Sequence, residues 1–118
     1  MAAKAADAGA EPAVDRALLL DFYGELLTEK QREYCDLHWN EDLSLAEIAE
    51  LAGLSRQGVW DVLRRAENVL LQYERKTGLI RRHLERREQI AAVRGELAAL
   101  LPADDRSRAL LARLDGLI

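Results

Sequence analysis

Residues 44–65 of this 118-residue chain read SLAEIAELAGLSRQGVWDVLRR, and no other segment constrains the fold as strongly. Apolar residues recur at helical spacing on both sides of Gly53, and a glycine there allows the positive φ of a tight turn between two helices. Small Ala49 lets the helices approach closely, Ser55 can cap the second helix, and Val59 can pack back on the first. The segment therefore predicts a helix-turn-helix. Two ordinary core helices joined by a glycine turn are the alternative.

The composition indicates an all-α protein. Hydrophobic residues make up 49% of the chain and charged residues 32%, whereas aromatic residues make up only 5%. Alanine, leucine, glutamate and arginine dominate, which favours helices, and no stretch has the alternating pattern of a strand. We predict a helical bundle that contains the helix-turn-helix and carries a C-terminal helical extension.

Apolar periodicity and helix-start residues set the expected helix boundaries. Capping boxes, in which a serine or threonine exchanges hydrogen bonds with a glutamine or glutamate three residues later, are expected at Thr28 and Ser44. The pattern predicts helices over 14–26, 28–40, from 44 to the glycine turn, 56–76 and 79–100, and a last helix that starts near Pro102. We expect Leu54 to fill the turn and Thr77-Gly78 to cap the second motif helix. The expected buried stripe of the first helix is Leu18, Leu19, Phe22 and Leu26.

The chain divides into three expected parts. Residues 1–13 contain small and acidic residues without a leucine-rich core, which predicts a disordered N-terminal tail rather than a signal peptide. Residues 14–77 form the helix-turn-helix domain, and residues 78–118 form a C-terminal helical hairpin and a candidate dimerisation region. That hairpin could instead pack only on its own core. Both alternatives rest on leucine-rich faces at heptad-like spacing, namely Ile90, Val93, Leu97, Leu100, Leu110, Leu114 and Leu117.

Four pieces of the segment from Leu18 to Leu79 resemble one known family. They are Asp21-Phe22-Tyr23; Leu27-Thr28-x-Lys30-Gln31-Arg32-x-Tyr34; Asp42-Leu43-Ser44-Leu45-x-Glu47-Ile48-Ala49; and Ser55-Arg56-Gln57-x-Val59-x-Asp61 followed by Arg64-Arg65. Together they resemble the YlxM-like family of small bacterial helix-turn-helix proteins, which is similar to the fourth region of bacterial sigma factors. Trp60 departs from the tyrosine usual in that family, and the part after Gly78 is not matched residue by residue.

The resemblance implies an accessory or regulatory protein of the signal recognition particle pathway. Genes of the family lie beside those of the particle's GTPase and its receptor, which is the basis of this association. The partners that the resemblance implies are DNA or the particle's RNA, with the particle's GTPase as a further candidate. The alternative is a protein-interaction module in which the helix-turn-helix is a scaffold that binds the signal recognition particle GTPase through Trp60 and the hairpin.

The distribution of charge favours an acidic partner for one part of the chain, although the net charge is −4. Residues 1–53 carry four basic and twelve acidic side chains, whereas residues 54–90 carry nine basic and five acidic ones. Polarised charge of this kind can steer nucleic acid towards the second motif helix and the segment that follows it.

Helical spacing selects the side chains that would meet nucleic acid. Arg56 could pair with a guanine edge and Gln57 with an adenine edge, whereas Arg64 and Arg65 suit phosphates. Asp61 lies in the middle of this surface, where a carboxylate is unfavourable next to phosphates unless it neutralises an arginine or accepts a hydrogen bond from a cytosine. Arg64 and Arg65, three and four residues later, are the expected partners of such an ion pair. The predicted nucleic-acid-binding residues are Ser55, Arg56, Gln57, Trp60, Arg64, Arg65, Arg75, Lys76, Arg81 and Arg82.

Two groups among these residues have a second interpretation. Trp60 could stack on an unpaired base, anchor a protein interface, or lie half-buried against another helix or a dimer mate. The arginines and lysine after residue 74 could instead form a solvated helix face with Glu85 and Glu88 as local partners.

The residue inventory argues against an enzyme, a metal site or a bound cofactor. Cys35 is the single cysteine, and His38 and His83 lie far apart in sequence, so the spacing of a zinc site is missing. His38 falls on an apolar face, which favours a packed histidine over a ligand. No glycine-rich phosphate loop and no membrane-length apolar run occurs. The single cysteine fits a reduced, cytoplasmic location.

Overall fold

The computed structural model describes residues 14–118, and the tail predicted for residues 1–13 lies outside this part. The described residues form six α-helices and no strand, which confirms the all-α prediction. The helices are α1 (Arg16–Tyr23), α2 (Glu29–Cys35), α3 (Leu45–Ala52), α4 (Arg56–Thr77), α5 (Leu79–Leu100) and α6 (Asp105–Asp115). The chain forms two compact units, of which the first extends to Thr77 and the second runs from Gly78 to Ile118.

Helix α1 is shorter than predicted, and its buried face is different. It starts after Asp15, whose side chain accepts a hydrogen bond from the Ala17 N–H, and it tightens into a 3₁₀ turn at Gly24–Leu26. The predicted stripe was therefore wrong in part, since Phe22 is 38% exposed and Leu26 is 55% exposed. The buried face consists of Leu19, Leu20 and Tyr23. The tighter turn ends the α-helical period before Leu26.

Both predicted capping boxes are present. The Gln31 N–H donates to Thr28 Oγ1 at 3.2 Å, and the Thr28 N–H donates to Gln31 Oε1 at 3.1 Å. The Glu47 N–H donates to Ser44 Oγ at 3.1 Å, and the Ser44 N–H donates to Glu47 Oε1 at 2.9 Å. These hydrogen bonds with Ser44 lower the pKa of the Glu47 carboxyl. The starts of α2 and α3 are thus fixed by local sequence.

The second predicted helix is not α-helical throughout. Helix α2 ends at Cys35 and continues as a π-helical turn at Asp36–Asn40, where the Glu41 N–H donates to the Asp36 carbonyl at 3.1 Å. Within this turn, His38 Nδ1 makes a 2.7 Å hydrogen bond with the Leu43 carbonyl oxygen. His38 is half-buried there.

Helix α4 is the centre of the first unit, because α1, α2 and α3 all pack against it. Its buried side chains Val59, Leu63, Ala66 and Leu70 recur at steps of three and four residues and form one line along the helix. Other fully or almost fully buried side chains of this unit are Leu19, Tyr34, Cys35, Ile48 and Ala49. The helix-turn-helix is therefore held by a core to which all four helices contribute.

A buried hydrogen bond between Tyr23 and Glu74 lies at the end of this core near the last turn of α4. The Tyr23 hydroxyl donates to Glu74 Oε1 at 2.6 Å and lies 2.5 Å from Thr77 Oγ1. Glu74 is only 6% exposed, and a buried carboxylate needs such a donor. This contact links α1 to the last turn of α4.

The second unit is a helical hairpin of α5 and α6, which pack on each other. The guanidinium of Arg94 holds the Asp115 carboxylate with N–O distances of 3.0 and 3.3 Å. The break in the chain at residues 101–105 is present, but the last helix does not start at Pro102 itself. Helix α6 starts at Asp105, because Asp104 caps it by accepting the Ser107 N–H at 2.7 Å.

Candidate nucleic-acid interface

The turn between α3 and α4 has the geometry that a helix-turn-helix requires. Gly53 adopts φ 69° and ψ 31°, the left-handed conformation, and its N–H donates to the Ala49 carbonyl. The Leu54 N–H donates to the same carbonyl oxygen at 3.0 Å. Leu54 was expected to fill the turn, but its side chain is 37% exposed. Backbone hydrogen bonds and the left-handed glycine hold the turn instead.

Ser55 caps α4, as its position predicted. Its Oγ accepts the Gly58 N–H at 3.0 Å, and its carbonyl accepts the Val59 N–H at 3.1 Å. The cap fixes where α4 begins and therefore which side chains of its first turns face outward.

The first half of α4 presents a mixed polar surface. Its core line lies on one side, and the exposed side chains are Arg56, Gln57, Trp60, Asp61, Arg64 and Arg65. Five of the six predicted binding residues that precede Arg75 therefore lie on the exposed side of one helix, and the sixth, Ser55, is the residue that caps it. Three arginines and one aspartate give this stretch a positive balance, which suits phosphate.

The predicted ion pairs of Asp61 are not formed. Gln57 Nε2 donates to Asp61 Oδ1 at 3.1 Å, and the Arg64 guanidinium lies over the Trp60 ring with Cζ 5.2 Å from the centroid. Both contacts join residues four positions apart on the helix, and the contact of Arg64 with the indole competes with its expected pair with Asp61. The expectation of ion pairs between Asp61 and Arg64 or Arg65 was wrong, whereas a hydrogen bond from a cytosine to Asp61 stays a prediction.

An open groove of about 600 Å³ lies between the starts of α3 and α4. Its apolar lining comes from Leu45 and Trp60, and its polar lining from Ser55, Arg56 and Gln57. Leu45 is not among the binding residues predicted from the sequence. The available signal was its position directly after the Ser44 cap, where a helix face is only partly covered by its neighbours. Leu45 is half-buried.

The remaining predicted basic residues belong to both units. Arg75 and Lys76 are exposed in the last turn of α4, whereas Arg81 and Arg82 are exposed in the first turn of α5. Arg81 lies 3.8 Å from the Glu85 carboxylate, and both side chains are well exposed. An exposed pair of this kind contributes little to stability, so it leaves the basic character of α5 largely unchanged.

Sequence comparison identifies the family. A family model described as "Putative helix-turn-helix protein, YlxM / p13 like" and named UPF0122 matches residues 11–100. The chain belongs to the UPF0122 family. The match extends past Leu79, where the residue-by-residue resemblance ended, and includes all of α5 but not α6.

Relatives from several bacteria support this assignment. A UPF0122 protein of Geobacillus kaustophilus is 46% identical over 99 residues, which cover 84% of this chain and 90% of that protein. A UPF0122 protein of Caldanaerobacter subterraneus subsp. tengcongensis is 49% identical over 77 residues, 65% of this chain and 66% of the relative. One from Thermoanaerobacter sp. is 56% identical over 68 residues. This alignment spans 58% of each chain.

The single cysteine of this UPF0122 chain is buried. Burial raises the pKa of the Cys35 thiol to about 12, with a smaller contribution from the Glu67 carboxylate, so the thiolate nucleophile is not formed near neutral pH. Residues 14–118 contain no group of three or more histidine, cysteine, aspartate and glutamate side chains that could hold a metal ion. None of the described helices is long and apolar enough to cross a membrane.

Proposed function

We propose that this UPF0122 protein is a non-enzymatic helix-turn-helix protein that binds nucleic acid through the exposed face of α4. The observation that carries the proposal is the left-handed turn at Gly53, which joins α3 to a capped α4 whose first turns expose arginines. In nucleic-acid-binding helix-turn-helix proteins, the first turns of the second helix meet the nucleic acid.

The charges of α4 support phosphate binding. Arg56, Arg64 and Arg65 are exposed on its first three turns, and Arg75 and Lys76 extend the positive charge to its last turn. Each arginine that neutralises a phosphate releases condensed counterions, so binding weakens as salt is added. Acidic side chains are concentrated elsewhere, on a surface of α1, α2 and the π-helical turn formed by Asp21, Glu25, Glu29, Glu33 and Asp36.

The pathway and assembly are part of the same proposal. The resemblance to YlxM-like proteins supports an accessory role in the signal recognition particle pathway, with DNA or the particle's RNA as the nucleic acid. We place the protein in the cytoplasm, as a homodimer without cofactor or metal. We assign residues 14–77 to the helix-turn-helix domain and residues 78–118 to dimerisation.

A protein partner is the second candidate. Trp60 is 42% exposed, and Asp61 on the same helix face is unfavourable next to phosphates. Exposed tryptophan is typical of protein interfaces, so the signal recognition particle GTPase could bind this face.

One side-by-side binding experiment separates the candidates. The purified chain is tested with duplex DNA, with the particle's RNA and with the particle's GTPase over a series of salt concentrations. Our proposal expects binding to a nucleic acid that weakens steeply with salt. Binding to the GTPase alone would replace the proposal with the second candidate.

A further inference from the structure

We propose that the groove beside Trp60 binds an unpaired nucleobase, which stacks on the indole, so that the nucleic acid recognised is single-stranded at this point. This inference rests on the proposed nucleic-acid binding and specifies the kind of nucleic acid. It depends on the orientation of Trp60, the lining of the groove and the arrangement around Asp61.

Trp60 provides a platform for stacking. Its ring lies on the exposed side of α4, lines the groove and is 42% exposed. The Arg64 guanidinium packs on the ring 5.2 Å from its centroid, and this contact restrains the indole within its helical turn. Only an unpaired base has a free face for such a ring, because both faces of a base in a duplex are covered by its neighbours.

The groove matches the chemistry of a base. Leu45 and Trp60 supply apolar surface for the base faces, and Ser55, Arg56 and Gln57 supply donors and acceptors for its polar edge. A volume of about 600 Å³ lies within the range of small-ligand sites, which is about 300–1,000 Å³. Arg56, Arg64 and Arg65 are exposed around it and suit the phosphates on either side of the base.

The same face is poorly arranged for reading duplex DNA. Reading an adenine edge in the major groove uses both the donor and the acceptor of a glutamine amide. Gln57 Nε2 already donates to Asp61 Oδ1 at 3.1 Å. The Asp61 carboxylate is also exposed one turn along α4, where it would repel the duplex phosphates. A flexible single strand can route its phosphates past Asp61, which a rigid duplex cannot do.

Trp60 fluorescence tests the stacking directly. In the full-length Trp39→Phe variant, Trp60 is the single tryptophan, and a stacked base quenches its emission. The probes are a single-stranded RNA of about 12 nucleotides, the DNA strand of the same sequence, and the DNA duplex, all at one low salt concentration. We expect quenching by the single strands and at least about tenfold weaker binding of the duplex, because base–aromatic stacking is lost.

Substitutions separate stacking from apolar contact. Trp60→Leu keeps an apolar side chain without an aromatic face and should weaken single-strand binding by about tenfold or more, whereas Trp60→Phe should retain most of it. The matched control is Phe22→Leu, an exposed aromatic on α1 outside the groove. Circular dichroism checks that each variant is folded. The quenching experiment uses the Trp39→Phe protein, which retains Trp60, so it remains informative even if a Trp60 variant does not fold.

The outcomes distinguish this inference from the function on which it rests. Salt-sensitive binding that prefers the duplex, causes no quenching or is unchanged in Trp60→Leu overturns the stacking inference and leaves nucleic-acid binding in place. Absence of binding to every nucleic acid overturns both. If the chain binds the GTPase but no nucleic acid, and Trp60→Leu loses GTPase binding, the groove is a protein-binding site and the stacking inference is overturned. RNA and DNA strands that quench Trp60 equally still support the inference, because an unpaired base is common to both.

Discussion

Gln57 and Asp61 are joined by a 3.1 Å hydrogen bond across one turn of α4, with the amide nitrogen as donor. The bond places a carboxylate in the middle of a surface that otherwise carries arginines. Asp61→Asn should therefore strengthen nucleic-acid binding by up to about fivefold, since exposed charge interactions are worth about 0.2–1 kcal/mol. Titration at low salt measures the change. Glu50→Gln, an exposed position of α3, is the control and should leave the affinity unchanged.

Replacing Arg64 and Arg65 together with alanine should weaken nucleic-acid binding and make it less sensitive to salt. The slope of log K against log salt should fall by about one or two, on the rule of about 0.9 per phosphate contact. Arg106→Ala with Arg108→Ala on α6 removes the same charge from the second unit and should preserve the slope. An unchanged slope in the α4 variant would exclude this helix as a phosphate-binding element.

Gly53→Val should destabilise the protein by about 1–3 kcal/mol, because a β-branched residue reaches positive φ only with strain. A Cβ at Gly53 would meet no heavy atom within 4 Å, so the cost comes from the backbone rather than from a clash. Gly95 in α5 is equally open but lies in a regular helix. Gly95→Ala should accordingly stabilise by about 0.5–1 kcal/mol. Thermal and urea unfolding measure both; equal effects of the two substitutions would contradict the assignment of strain.

Tyr23→Phe should destabilise the first unit by about 1–3 kcal/mol, because it removes the hydroxyl that donates to buried Glu74. Tyr73→Phe is the matched control. The Tyr73 ring stacks on Tyr23 with centroids 6.1 Å apart, but Tyr73 is more than a third exposed. Loss of its hydroxyl should change the free energy of unfolding little. An unchanged free energy of unfolding in Tyr23→Phe would mean that the hydroxyl contact does not stabilise the fold.

The full chain should be a dimer through its C-terminal hairpin. Leu100 is 82% exposed and Leu117 is 68% exposed, and an apolar groove of about 470 Å³ lies in the same unit. Groove residues are Leu97, Leu101, Leu110, Leu111, Arg113, Leu114 and Leu117.

Leu100→Ser with Leu117→Ser should yield a monomer in sedimentation, whereas Leu51→Ser on α3 should not. Truncation after Gly78 should leave a helical monomer. A wild-type chain that is monomeric at tens of micromolar would refute dimerisation.

Local features of this fold could be predicted from the sequence. The turn at Gly53 and the caps at Thr28, Ser44 and Ser55 involve residues within five positions of one another, so their patterns are visible in a short window. Features that depend on distant residues could not. The hydroxyl of buried Tyr23 donates to Glu74, 51 residues later, and nothing near Tyr23 in the sequence indicates this partner.

In the candidate site, too, some features could be predicted from local sequence and others depend on packing. Exposure of Arg56, Trp60 and Arg64 follows from helical periodicity alone. The partner of Asp61 does not, because Gln57 and Arg64 are both within reach of it. In the structure Arg64 lies over the Trp60 ring, and Gln57 donates to Asp61. Helical spacing identifies the possible partners of Asp61, but the sequence does not show which of them makes the contact.

Helix α4 carries two lines of side chains that meet different neighbours. Val59, Leu63 and Ala66 contact the core, whereas Arg56, Trp60 and Arg64 recur every four residues on the exposed side. Natural selection can therefore act on the two lines separately. Under the proposed function, substitutions on the exposed line would change what the protein binds at little cost in folding, whereas substitutions on the core line would lower stability. One helix would thus let the bound partner change while the architecture is retained.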